Sequence, residues 1–256
     1  MKIVRFEIGK KIGYGVLKNK SIRVIQGNPF RAIRYSGVSV RLSDVKLLAP
    51  CIPSKIVCLG LNYRSHAREI DAQIPENPLI FLKPPTAVIG PEDKIIYPDM
   101  SQRVDYEGEL GVVMKKKTSH VTKEEALDFV LGYTCFNDVT ARDLQNRDGQ
   151  WTRAKGFDTF AAFGPWMETE IDPSSVPLET YLNGEQKQKG NTSDLIYSVR
   201  EVISFISRVM TLLPGDVIAT GTPSGIGPMK PGDTVEVKIA PIGTLRNYVI
   251  KPPAAD

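Results

Sequence analysis

The sequence predicts an α+β fold dominated by a mixed β-sheet, which we expect to roll into a barrel. Stretches that alternate polar and apolar residues outnumber the helical patterns along the 256 residues, and the two types do not alternate strictly. Asn183-Gly184 between two alternating runs is the strongest short-range signal for a β-hairpin. Capping boxes beginning at Thr122 and Ser198 predict the starts of two helices, which end near residues 131 and 210.

The composition is that of an ordinary globular protein, with 41% hydrophobic residues, 24% charged residues and a net charge of +4. The basic run at residues 115–117 is short and has no interleaved aromatic residues, so we predict no nucleic-acid partner. No apolar stretch approaches the roughly 20 residues of a membrane helix, and we predict no membrane partner. The cysteines, Cys51, Cys58 and Cys135, form no C-x-x-C pair. We expect reduced thiols in a cytoplasmic protein.

The predicted domain organisation is a small N-terminal β domain, residues 1–50, and a larger domain, residues 51–256. The first 50 residues contain short alternating stretches separated by glycine and asparagine, and they carry no acid–base cluster. The A-P-C-I-P run at residues 49–53 marks the junction, because its two prolines disfavour a continuous helix or central strand.

The polar stretch with the clearest pattern is V-D-Y-E-G-E-L-G-V-V-M, residues 104–114. On one extended strand Asp105, Glu107 and Glu109 point to the same face, because successive side chains alternate. One interpretation is a solvated polar face. The other is a site for a hard cation, since carboxylate oxygens are the ligands of Mg²⁺, Mn²⁺ and Ca²⁺.

Three further polar residues each have a structural alternative. His66 and Glu69 would share a helix face and are typical general acid–base groups, although this spacing is common by chance. Asp138 follows an apolar run at residues 133–137. It is either a carboxylate ligand or the N-cap of a helix predicted over residues 139–146.

The second half of the chain contributes three more candidates. Arg142 lies on that predicted helix, where it could pair with Asp138. Lys155 lies in a predicted loop, where a lone lysine is usually solvated. The G-T-P-S-G-I-G-P run at residues 221–228 lacks nucleotide-loop spacing, and no helix is predicted after it. It is either a plain turn or a tight loop that brings Thr222 close to a ligand.

Taken in order, five motifs resemble those of the fumarylacetoacetate hydrolase family: G-L-N-Y-R-S-H-A-R-E, D-Y-E-G-E-L, F-N-D-V-T-A-R-D-L-Q, K-G-F-D and A-T-G-T-P-S-G-I-G-P-M. The resemblance is nearest to small bacterial and archaeal members and to the acylpyruvase-like branch. It runs from about residue 54 to residue 252 and implies the family's barrel-like fold. Residues 1–50 resemble the short N-terminal β extension of many members.

The resemblance implies a divalent metal, Mg²⁺ or Mn²⁺, held by Glu107, Glu109 and Asp138. It also implies that His66 and Glu69 form the family's acid–base pair, in a segment that orders over the substrate in relatives.

The same resemblance places substrate contacts at Gln145, Lys155 and Thr222. Lys155 would stabilise the charge of an enolate. Arg142 lies in the matching motif, with either a substrate contact or a structural role. Family members are commonly homodimers, so a homodimer is implied as well.

The function implied is metal-dependent chemistry on 2-oxo or 2,4-dioxo acids, either hydrolysis of a carbon–carbon bond in an acylpyruvate or decarboxylation through an enolate. Alternatives are a 2-hydroxyhepta-2,4-diene-1,7-dioate isomerase and 5-oxopent-3-ene-1,2,5-tricarboxylate decarboxylase of aromatic catabolism, an oxaloacetate tautomerase, or a non-catalytic binding protein for metal or oxo acid. The larger eukaryotic members carry an additional aspartate ligand near the first motif. This sequence reads L-G-L-N at residues 59–62, so fumarylacetoacetate itself is not the expected substrate.

Overall fold

The computed structural model describes residues 1–253, in which strands are far more numerous than helices. The helices are α1 (Arg64–Glu69), α2 (Arg142–Asp148), α3 (Thr152–Lys155) and α4 (Val199–Val209). The strands are β1 (Lys2–Ile8), β2 (Lys11–Lys18), β3 (Ser21–Ile25), β4 (Tyr35–Arg41), β5 (Lys46–Leu48), β6 (Ile56–Leu59), β7 (Ile80–Lys83), β8 (Val88–Ile89), β9 (Lys94–Ile96), β10 (Val104–Tyr106), β11 (Gly108–Met114), β12 (Val130–Asp138), β13 (Thr140–Ala141), β14 (Ala161–Glu168), β15 (Pro177–Leu182), β16 (Glu185–Asn191), β17 (Val217–Ala219), β18 (Gly227–Met229), β19 (Thr234–Ile239) and β20 (Gly243–Ile250).

Three sheets organise these strands. The largest has 12 strands in the order β4-β3-β2-β1-β14-β12-β11-β17-β6-β7, with β5 beside β1 and β8 beside β14. A five-stranded sheet has the order β16-β15-β19-β20-β9, and a three-stranded sheet has the order β13-β10-β18. The predicted α+β class with mixed sheets is confirmed. Over residues 1–253 the large sheet ends at β4 and β7, so a closed barrel is not confirmed.

The N-terminal strands extend the large sheet. Strand β1 pairs with β14 at Lys2 and Ile3, and β2, β3 and β4 follow outward by antiparallel pairing. Ile3 packs in the same core cluster as Phe136 and Phe163 from the centre of the sheet. The first 50 residues therefore share hydrogen bonds and apolar contacts with the rest of the chain.

Two predicted local elements are confirmed. Strands β15 and β16 form a hairpin whose turn residues Asn183 and Gly184 have φ of 52° and 81°, the left-handed conformation that this turn requires. Helix α4 begins at a complete capping box between Ser198 and Glu201. Its buried face carries Ile206 among other apolar residues.

Three predicted elements are corrected. The side chains of Thr122 and Glu125 exchange capping-box hydrogen bonds, but only a 3₁₀ turn at Ala126–Phe129 follows, because the chain enters β12 at once. The helix predicted over residues 139–146 starts later, at Arg142, since β13 comes first. Lys155, predicted in a loop, ends helix α3.

The strand predicted over residues 104–114 is two strands in two sheets. Strand β10 pairs with β13 and β18 in the three-stranded sheet, whereas β11 lies between β12 and β17 in the large sheet. Glu107 is the residue at which the chain passes from one sheet to the other.

The cysteines agree with the prediction of reduced thiols. Cys51, Cys58 and Cys135 are free and buried. Within the described residues, every helix is too short or too polar to cross a membrane.

Candidate active site

Three buried carboxylates converge where β11 and β12 lie side by side. Strand β11 places Glu109 opposite Phe136, and the Asp138 amide donates to the Glu107 carbonyl at 2.9 Å. Glu107, Glu109 and Asp138, here called the acidic cluster, each present a carboxylate oxygen within 4.8 Å of the others. Their relative exposures are 6%, 0% and 0%. Because carboxylates this close repel one another, neighbouring cations must balance them.

Two buried lysines supply part of that balance. The Lys155 ammonium donates to Glu107 Oε2 at 2.9 Å and to Asp138 Oδ2 at 2.7 Å. The Lys83 ammonium forms an ion pair with Asp138 Oδ1 and donates its hydrogen bond to the Val139 carbonyl at 2.9 Å. Both lysines are at most 2% exposed, which excludes the solvated alternative for Lys155.

The acidic cluster shifts the pKa values of its members in opposite directions. Burial raises the pKa of Glu107, but Lys155 and Arg142 outweigh that effect and lower the pKa to about 2. Burial raises the pKa of Glu109 well above its usual range, and the charges of Asp138 and Glu107 raise it further. Burial lowers the pKa of Lys155, but Asp138 and Glu107 outweigh it, so the pKa is raised. Among the described residues, Glu107 and Asp138 thus form ion pairs with Lys155, whereas Glu109 forms none.

The residues present fit a divalent cation. Among the described residues, the buried atom Glu109 Oε1 takes part in no hydrogen bond or ion pair. Buried polar atoms normally have partners, and an unpaired one calls for an explanation such as an ion. The donors are all carboxylate oxygens, the ligand type that Mg²⁺ and Mn²⁺ prefer.

Arg142 joins the acidic cluster to its surroundings. Its guanidinium donates to Asp105 Oδ2 at 2.9 Å, to Glu107 Oε1 and to Gln145 Oε1. The alternative pairing with Asp138 is therefore not found. Asp105 also receives two hydrogen bonds from Arg103, and it lies outside the group of carboxylates whose oxygens are within 4.8 Å of one another.

His66 and Glu69 form a hydrogen-bonded pair on α1. His66 Nδ1 lies 2.7 Å from Glu69 Oε2, and His66 is 6% exposed. The other oxygen of that carboxylate, Glu69 Oε1, accepts from the Gly225 amide at 2.7 Å. The second histidine, His120, lies exposed beside Ser119.

The loop of residues 221–225, here called the bridging loop, connects the acidic cluster to this pair. Its first amide, Gly221, donates to Glu109 Oε2 at 2.8 Å, and its last, Gly225, donates to Glu69. The Thr222 hydroxyl donates to the Gly108 carbonyl at 2.8 Å and so links the loop to strand β11. Strand β18 follows the loop, and the predicted absence of a helix there is confirmed.

Sequence reasoning missed three residues of this site: Lys83, Tyr106 and Gln188. Lys83 precedes a proline pair, which reads as a strand end, and Gln188 sits in a polar hairpin strand. The Tyr106 phenol donates to the Gly225 carbonyl at 3.0 Å. Tyr106 immediately precedes Glu107. This adjacency is the one local feature of the sequence that could have placed any of the three residues in the site.

A cavity of about 870 Å³ adjoins the site along the edge strand β7. Its lining includes Phe81, Lys83 and Trp151. The Phe81 ring centroid lies 5.0 Å from the Lys155 nitrogen and 5.2 Å from the Trp151 ring centroid. Phe81 and Lys83 therefore form part of the wall between this cavity and the acidic cluster.

Residues 55–250 match the family model described as Fumarylacetoacetate (FAA) hydrolase C-terminal. The chain belongs to the fumarylacetoacetate hydrolase family. This confirms the resemblance drawn from the five motifs. Residues 1–50 match a second model, described as Rv2993c-like, N-terminal.

Three relatives illustrate the range of the fumarylacetoacetate hydrolase family around this chain. An uncharacterized protein of Archaeoglobus fulgidus is 57% identical over 217 residues, 85% of this chain and 87% of that protein. Oxaloacetate tautomerase YisK of Bacillus subtilis is 45% identical over 223 residues, 81% of this chain and 74% of that protein. The structure of 5-carboxymethyl-2-hydroxymuconate delta-isomerase from Mycobacterium smegmatis is 43% identical, with a TM-score of 0.94 over 98% of this chain and 100% of that one.

Proposed function

We propose that this chain is a divalent-metal-dependent enzyme that relocates a proton in 2-oxo acids, with keto–enol tautomerisation of oxaloacetate as its reaction. The observation that carries the proposal is the bridging loop, which links the acidic cluster to a histidine–glutamate pair. Proton abstraction beside a carbonyl requires an electrophilic centre and an acid–base pair in a fixed position relative to each other.

Glu107, Glu109 and Asp138 would hold Mg²⁺ or Mn²⁺. When bound, such an ion would act as a Lewis acid on the chelated oxo acid and make the proton beside its carbonyl easier to remove. Two or more coordination positions would remain for the substrate, since Mg²⁺ is usually held by few carboxylates.

His66 would move the proton. Glu69 would accept from Nδ1 and thereby leave Nε2 free to act as the base and then as the acid. The Lys155 ammonium would stabilise the negative charge that develops on the substrate. Gln145 and Thr222 would orient the substrate, and Arg142 would hold Gln145 in place.

Two facts favour proton relocation over hydrolysis. His66, Lys155 and Thr222 are each at most 6% exposed, and tautomerisation needs no water as a reactant. The names of two relatives, a tautomerase and a delta-isomerase, both describe reactions that move a proton next to a carbonyl.

Carbon–carbon hydrolysis of an acylpyruvate is the second candidate. The cavity of about 870 Å³ beside Phe81 offers room for an acyl substituent that oxaloacetate does not have. The same His66–Glu69 pair would then activate water.

We also propose the assembly that the family implies: a homodimer in which residues 51–256 form the catalytic part and residues 1–50 precede it. Analytical ultracentrifugation tests the dimer. A monomer at micromolar concentration would contradict it.

Proton NMR of the purified protein with Mg²⁺ tests both candidates. Faster keto–enol exchange of oxaloacetate than with Mg²⁺ alone would support the tautomerase, and acetate plus pyruvate from acetylpyruvate would support the hydrolase. His66→Gln should abolish either activity, whereas His120→Gln, the matched change at the exposed histidine, should retain it. Rates equal to the Mg²⁺ background with both substrates would refute the proposed function.

A further inference from the structure

Gln188 is a buried amide whose three hydrogen bonds all go to the site. It lies on β16, in the five-stranded sheet, and is 1% exposed. Its nitrogen donates to the Thr222 hydroxyl at 2.8 Å and to the Pro223 carbonyl at 2.9 Å. Its oxygen accepts from the Gly108 amide at 2.9 Å. One side chain therefore contacts both strand β11 and the bridging loop.

Gly108 is the residue between the two glutamates of the acidic cluster. A Cβ at this position would lie 2.1 Å from Thr180 Oγ1 and 3.2 Å from Gln188 Oε1, so the backbone is pressed against both side chains. Moving Gln188 would move this backbone, and with it the carboxylates on either side.

The bridging loop has little freedom of its own. Gly221 and Gly225 have φ of +95° and +96°, and a Cβ at Gly225 would lie 2.2 Å from the Lys187 carbonyl oxygen. These two residues touch Glu109 and Glu69 respectively. A shift of the loop would therefore change the separation between the acidic cluster and the His66–Glu69 pair.

We propose that Gln188 is a positioning residue, which sets the spacing of the acidic cluster through Gly108 and the placement of the His66–Glu69 pair through the bridging loop. This inference rests on the proposed function in that the acidic cluster is taken to hold the metal. Residues that orient metal ligands from outside typically change metal affinity by about 10- to 100-fold when substituted.

Only an amide fits these three partners. The Thr222 hydroxyl already donates its hydrogen to the Gly108 carbonyl, so it acts as an acceptor toward Gln188. The Pro223 carbonyl is also an acceptor. Glutamate has the same shape but would place an acceptor oxygen against both, while it keeps the acceptor for the Gly108 amide.

The test is isothermal titration calorimetry of Mg²⁺ into Gln188→Glu and the unmodified chain, with thermal unfolding of each. We expect Gln188→Glu to bind Mg²⁺ at least tenfold more weakly. Gln186→Glu is the matched control, because it makes the same chemical change at an exposed position of the same strand. It should bind Mg²⁺ as the unmodified chain does.

Thr222→Val gives a second, nearly isosteric test if Gln188→Glu does not fold. It removes the hydroxyl between Gln188 and Gly108 and should weaken Mg²⁺ binding, whereas Thr222→Ser keeps the hydroxyl and should restore it. Mg²⁺ affinities within twofold of the unmodified chain for both Gln188→Glu and Thr222→Val would overturn the positioning role. Absence of Mg²⁺ binding by the unmodified chain would instead overturn the proposed metal site.

Discussion

Replacing Lys155 by methionine should destabilise the protein, and added Mg²⁺ should restore part of the lost thermal stability. The Lys155 side chain is 3% exposed, and its ammonium group lies 2.9 Å from Glu107 and 2.7 Å from Asp138. Methionine fills similar space without charge, so the substitution leaves buried carboxylates uncompensated. Breaking a buried ion pair by removing one partner costs about 3–5 kcal/mol. In a chain of this size that loss lowers Tm by roughly 6–20 °C.

The assay is thermal unfolding in EDTA and in saturating Mg²⁺. A ligand at about 100 times its Kd stabilises the folded state by about 2.7 kcal/mol. In Lys155→Met the ion would also replace the missing positive charge beside Glu107 and Asp138. The rise in Tm on adding Mg²⁺ should therefore be larger for Lys155→Met than for the unmodified chain.

Lys55→Met is the control for this experiment. Lys55 pairs with the buried Asp216 at 2.5 Å, away from the acidic cluster. Its loss should lower Tm without changing the rise that Mg²⁺ produces. A rise for Lys155→Met that is equal to or smaller than that of the unmodified chain would refute the electrostatic reasoning.

Three further substitutions test the frame around the site. Tyr106→Phe removes the hydrogen bond to the Gly225 carbonyl; urea unfolding should show a loss of about 1 kcal/mol, and kcat should fall while Mg²⁺ affinity stays unchanged. Gly225→Ala places a Cβ against the Lys187 carbonyl at positive φ and should cost about 1–3 kcal/mol by urea unfolding, more than Gly9→Ala, where the space is open. Ser198→Ala removes the cap of α4 and should cost about 1 kcal/mol by thermal unfolding, with unchanged kcat.

Specific results would contradict each of these expectations. Full kcat in Tyr106→Phe would mean that the bridging loop does not need the phenol. Equal losses of unfolding free energy in Gly225→Ala and Gly9→Ala would mean that the bridging loop shifts at little cost to accommodate the added Cβ. A loss of activity in Ser198→Ala would mean that α4 acts on the site.

The acidic cluster could be located from sequence, but its geometry could not. The alternation of residues 104–114 places Glu107 and Glu109 in one region, and the five motifs add Asp138. The same alternation does not reveal that Asp105 stays outside the acidic cluster, because the chain changes sheet at Glu107. A register that holds within one strand does not carry across such a passage.

The residues that surround the cluster depend on contacts between distant parts of the chain. Lys83 meets Val139 across 56 positions, and Gln188 meets Gly108 across 80. From sequence alone, a polar side chain in a hairpin strand, such as Gln188, is predicted to be solvated, because the sheet that packs against it is unknown. Local signals were sufficient for the Asn183-Gly184 turn and the Ser198 cap, because their hydrogen bonds close within a few residues.

The bridging loop contacts residues from all three sheets, which has a consequence for the order of events in folding. The contact between Glu69 and Gly225 spans 156 positions, and that between Glu109 and Gly221 spans 112. Contacts this distant in sequence form late, since large stretches of chain must be ordered first. The carboxylates would therefore come together only when the rest of the molecule is in place. A divalent cation would then bind only after the chain has folded. It would slow unfolding without speeding folding.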